Sequence, residues 1–70
     1  MDDQEYLKRL GEKIRELRKP KMTQEELAEK LGTKHTQIGR IERGEANSTI
    51  NMLRHIAREL GISISDLVRI

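Results

Sequence analysis

The sequence predicts an all-α fold of five short helices, and three observations lead there. Apolar residues recur at three- and four-residue steps, and no segment shows the two-residue alternation of a strand. Ser, Thr and Gly residues stand where helices open and close. Seventy residues without a cysteine leave room for one domain over 1–70 whose core stands without disulfides.

The first helix is expected over 3–19, with Leu7, Leu10, Ile14 and Leu17 on one side and charged residues filling the others. Pro20 halts it, because proline lacks an amide donor and restricts the residue before it. Thr23 and Glu26 have the spacing of a capping box and open a second helix over 24–31, with Leu27, Ala28 and Leu31 turned inward. Gly32 supplies the left-handed residue of a tight turn, and a third helix over 35–43 follows almost at once. Its apolar residues are Ile38 and Ile41 alone, so most of it faces water or a partner. After Gly44, the stretch from Glu45 to Ser48 has no periodicity. Thr49 caps a fourth helix over 50–60, where Ile50, Leu53, Ile56, Ala57 and Leu60 form one stripe before Gly61 closes it. Ser63 and Asp66 repeat the capping-box form ahead of a last helix over 64–68 carrying Ile64, Leu67 and Val68. The expected core is Leu10, Ile14, Leu17, Leu27, Ala28, Leu31, Ile38, Ile41, Leu53, Ile56, Ala57, Leu60 and Leu67.

Composition removes several classes of function. The chain is 34% hydrophobic and 37% charged with a net charge of +2, too small an excess to coat nucleic acid by bulk attraction. Tyr6 is its sole aromatic residue, whereas modules that bind single strands stack bases on several rings. No apolar run approaches the roughly 20 residues of a membrane-spanning helix, and the acidic start does not read as a signal peptide. A soluble cytoplasmic protein is the expectation. His35 and His55 fall on different helices with no acidic partner that spacing can place, and no metal-ligand spacing or phosphate loop appears. Catalysis, cofactors and metals are therefore not expected.

Two short helices joined by a glycine turn, the second mostly polar, suit a reader of duplex DNA in which one helix braces and the other probes. Thr23 and Gln24, at the start of the bracing helix, can offer free amides and a positive dipole end to a phosphate. The same Thr23 and Glu26 would cap a helix in any protein. What sharpens the reading is an ordered set of motifs: Ile14 to Arg18, then Thr23 to Ala28, Leu31-Gly32, Ile38, Ile41 to Gly44, Leu53, Ile56-Ala57, Leu60-Gly61 and Ser63 to Leu67. Together they resemble the Cro- and XRE-like repressor family over nearly everything from Leu10 to Val68.

The resemblance implies a five-helix, lambda-repressor-like helix-turn-helix domain and a sequence-specific regulator of the repressor, antitoxin or restriction-modification controller type. It implies that His35, Thr36, Gln37 and Arg40 read base edges. Geometry agrees, because 36 and 40 are one turn apart while Ile38 and Ile41 point the other way. Gln24, Lys34, Arg43 and Asn47 join Thr23 as expected phosphate contacts, and Arg18 is expected to pair with Glu42. A homodimer is expected, built on Ile64, Leu67, Val68 and Ile70 with part of the fourth helix, unless these side chains close the monomer core. Lys34 stands where the family has a capping Ser or Thr, which shifts the expected cap back to Thr33. Gly39, inside the probing helix, reads either as a close approach to DNA or as a small residue fitted against a neighbouring helix. The rival reading is a protein-binding module that presents these helices to a toxin, an RNA polymerase subunit or another regulator.

Overall fold

A computed structural model describes residues 1–70, which form α1 (Asp3–Arg18), α2 (Gln24–Leu31), α3 (His35–Glu42), α4 (Ile50–Leu60) and α5 (Ile64–Val68), with no strand. Local chemistry sets the bounds. The Asp2 carboxylate accepts the Glu5 amide at the head of α1. Thr23 makes both halves of its capping box, with the Glu26 amide on its hydroxyl and its own amide on the Glu26 carboxylate. Thr49 caps α4 through the Met52 amide, and Ser63 caps α5 through the Asp66 amide. Only that half of the expected Ser63 box forms. α3 differs, because Lys34 is its N-cap and no side chain caps it. The cap does not move back to Thr33, and α3 opens with its first amides unclaimed by any side chain.

The core has two parts. Leu10, Ile14, Ile41, Leu53, Ile56, Ala57, Leu60 and Leu67 form the larger, where α1, α4 and α5 meet the end of α3. Leu27, Ala28 and Ile38 form the smaller, between α2 and α3. Leu31 packs against both and is half-buried, as is Leu17. Ile50, expected in the α4 stripe, is 67% exposed, because the first residue of α4 precedes the turns that meet the core.

The crossing of α1 over α3 depends on Gly11. A Cβ there would stand 2.5 Å from the Ile41 carbonyl oxygen and closer still to that of Glu42. Gly44, with φ +74°, turns the chain away beneath Lys8, whose Cα would be 2.8 Å from a side-chain carbon at that position. Along the same stretch of α1, the Tyr6 hydroxyl donates to the Val68 carbonyl at 2.5 Å, and the Lys13 ammonium donates to the carbonyls of Asp66 and Arg69. These bonds satisfy backbone acceptors at the end of α5, a helix too short to hold itself.

Candidate nucleic-acid interface

The position of α3 follows from its two isoleucines. Ile38 is 1% exposed and sits in the α2 cluster, while Ile41 is 4% exposed and sits in the larger cluster. Pinning the helix at two points fixes its roll as well as its place. Thr36, Arg40 and Arg43 then fall on the side opposite the isoleucines and are exposed, with His35 exposed on one flank and Gln37 half-buried on the other. His35, Thr36 and Arg40 make no side-chain hydrogen bond within the chain, so their donors and acceptors stay available.

A buried polar triad ties this helix to the other two. Arg18 Nε donates to Glu42 Oε2 at 2.6 Å and an Arg18 terminal nitrogen donates to Glu42 Oε1 at 3.1 Å. Arg18 also donates to the Met22 carbonyl at 2.9 Å. The Gln24 amide nitrogen donates to the same Glu42 Oε1 at 2.9 Å. Arg18 and Glu42 are 7% and 5% exposed, which places the pair in the shielded regime where each charge requires its partner. α1, α2 and α3 are thereby held at one mutual angle.

Around the triad lies an open cleft lined by Arg15, Lys19, Lys21 and Arg43 and, at the start of α2, by Glu25 and Glu26. The capping box occupies the amides of Thr23 and Glu26, leaving those of Gln24 and Glu25 pointing outward, as at the head of any helix. The Thr23 hydroxyl accepts the Glu26 amide. The Gln24 amide group keeps one N–H beyond its bond to Glu42. Bond geometry also governs Glu26, whose carboxyl is held below its ordinary value by the hydrogen bond from the Thr23 amide and then by the Thr23 hydroxyl.

Lys34 is exposed at the head of α3. Arg43, at its tail, donates to both oxygens of Glu45, at 3.0 and 3.3 Å. Gly39 lies beneath these groups, since a Cβ there would be 3.1 Å from an Arg43 terminal nitrogen and 3.6 Å from the Gln24 amide oxygen. Its small size makes room for two polar side chains at the α2–α3 corner. Asn47 does not join the cleft. It borders a second groove with Tyr6, Leu7, Ile50, Leu53 and Val68.

Among the C-terminal residues expected to meet a second chain, Leu67 is corrected: it is 0% exposed and part of the larger core cluster, so no partner can reach it. Ile64 and Val68 are half-buried and Ile70 is 41% exposed. The sequence reading passed over Gly11 and Glu45. Gly11 carried the signal of a glycine inside an otherwise strong helix, and Glu45 carried none beyond its place after Gly44.

Comparison with known proteins accords with this geometry. The helix-turn-helix family profile matches residues 14–67. The chain is 37% identical over 60 residues to the control protein C.BamHI of Bacillus amyloliquefaciens, covering 83% of this chain and 74% of that one. It is 43% identical over 56 residues to an uncharacterised helix-turn-helix transcriptional regulator of Archaeoglobus fulgidus, covering 79% and 80%. The crystal structure of the restriction-modification controller C.AhdI of Aeromonas hydrophila superposes with a TM-score of 0.86 at 31% identity, over 96% of this chain and 99% of that one. With that profile spanning most of α1 to α5, the chain belongs to the helix-turn-helix family of DNA-binding transcription regulators.

Proposed function

We propose that this regulator lays α3 in the major groove of duplex DNA and reads sequence there with Thr36 and Arg40 at the centre of the face and His35 and Gln37 on its flanks. The observation that carries the reading is the anchoring of α3: Ile38 and Ile41 hold it from two sides of the core, and its opposite side is uncovered. Arg40 can make a bidentate contact to guanine, Gln37 can pair with adenine, and the Thr36 methyl can touch that of thymine. Thr23, Gln24 and the free amides at the head of α2 take one phosphate, with Lys34, Arg43 and Asn47 as further backbone contacts.

One helix of this size covers only a few base pairs, so the unit that binds an operator is a homodimer reading half-sites roughly 34 to 36 Å apart. Ile64, Val68 and Ile70 are the side chains through which the second copy docks. The likeness to a control protein and to a restriction-modification controller supports a controller role in the cytoplasm, and an equal identity to an immunity repressor of Bacillus phage phi105 supports a repressor role beside it. Titration of a labelled duplex at two salt concentrations tests the DNA reading. Affinity should fall steeply with salt, as phosphate contacts release counterions, and Gln24→Ala should weaken binding to every sequence about equally. An affinity indifferent to salt, or no saturable binding in dilute buffer, overturns the reading and favours a protein partner.

A further inference from the structure

Arg43 stands on the uncovered side of α3, where the proposed reading puts a phosphate, and its guanidinium is already engaged. Two of its nitrogens face the two oxygens of Glu45, the fork-on-oxyanion arrangement an arginine makes with a phosphate group. Its remaining nitrogen lies over Gly39, 3.1 Å from where a Cβ would stand. The turn fixes where the carboxylate stands. Gly44 adopts its left-handed conformation, and the Glu45 amide donates to the Arg40 carbonyl at 2.9 Å, which closes α3 and brings Glu45 back toward its last turn. The Glu45 carboxyl is held below its ordinary value by the hydrogen bond from Arg43, and by the charges of Arg43 and Arg40. A single carboxylate therefore holds the Arg43 guanidinium by two of its nitrogens.

We propose that Glu45 is an internal stand-in for a DNA phosphate, occupying Arg43 in the free protein and thereby setting how tightly the domain holds duplex of any sequence. The inference rests on the reading that α3 faces DNA. Both members of the pair are more than half exposed, at 58% and 55% of their side-chain surface, and exposed pairs are weak enough to exchange readily. On binding, Arg43 moves from carboxylate to phosphate. Glu45 is left beside the backbone it repels, so each contact Arg43 gains is partly cancelled. Because the competition concerns the phosphate backbone, it acts alike on selected and unrelated sequences.

Glu45→Gln tests this, since the amide keeps the shape and one acceptor while losing the charge. Duplex affinity is measured for the wild type, Glu45→Gln, Arg43→Ala and the double variant, on a selected and a scrambled duplex, across a salt series. Thermal midpoints verify that all four are folded. Glu45→Gln should bind both duplexes about two- to five-fold more tightly per protomer at low salt, the range a weak exposed pair spans. The slope of log affinity against log salt should steepen by up to about 1. In the Arg43→Ala background the gain should vanish. If Arg43→Ala weakens binding while Glu45→Gln leaves it unchanged or lowers it, the inference falls and the reading of α3 stands. A gain that survives loss of Arg43 also overturns the inference, because repulsion alone would then account for it. If the wild type binds neither duplex, the reading fails and takes the inference with it.

Discussion

Glu42 is the residue on which the geometry of the interface turns, because its two oxygens accept from Arg18 twice and from Gln24 once. Glu42→Gln strips the counter-charge from an arginine that is only 7% exposed, and breaking one side of a shielded pair costs about 3 to 5 kcal/mol. A chain of this length has a total stability of roughly 4 to 10 kcal/mol, so denaturant unfolding should show the variant close to marginal. Replacing both partners with apolar residues, as in Arg18→Met with Glu42→Leu, should recover much of that loss. A single variant as stable as the wild type would mean that the charges contribute little. Glu26 makes a different prediction. Its folded carboxyl titrates below the ordinary value of 4.5, so its stabilising contribution is whole above about pH 4.5 and is lost as the pH falls through the lower folded value. The stability gap between wild type and Glu26→Gln should be widest near neutrality and close on acidification. A gap that widens in acid contradicts the capping-box account.

Among the elements, the α1–α3 crossing is the tightest joint, and Gly11 is the residue that permits it. In Gly11→Ala the new methyl meets main-chain carbonyl oxygens, which cannot swing aside as a side chain would. Overpacking of this kind costs about 1 to 3 kcal/mol, more than an exposed helix gains from the exchange. The melting temperature should drop by roughly 4 to 8 °C for each kcal/mol lost, and an unchanged or higher value contradicts the crossing. The contrast between helix ends and helix crossings explains what the sequence made legible. Thr23, Gly32, Thr49 and Gly61 act on residues within three or four positions of themselves, so pattern alone locates α2 and α4. The reason for Gly11 lies in carbonyls thirty residues away, and periodicity cannot see it. Leu67 sits on a helix of five residues, too short for its stripe to say whether it faces the core or a second chain. The Arg18–Glu42 pair was legible only through family resemblance, since nothing in their spacing brings 18 and 42 together. Glu45 stayed hidden because its partner is decided by the turn at Gly44.

For the whole molecule, rigidity and exposure are divided between the two sides of α3. One side is locked by Ile38, Ile41 and the buried triad, and the other carries groups with little to bind inside the protein. Such a division suits an element whose ligand is outside the chain, because a helix already fixed in place loses less freedom on contact than one that must be ordered first. No helix is long and apolar enough to cross a membrane. Selection from a randomised duplex library, run in parallel for wild type and Arg40→Ala, tests most directly whether that face reads bases. The account predicts one consensus with paired half-sites for the wild type. For Arg40→Ala it predicts the same melting temperature and a loss of preference at one position in each half-site, worth about 1 to 3 kcal/mol there. An identical consensus from the two proteins would contradict it.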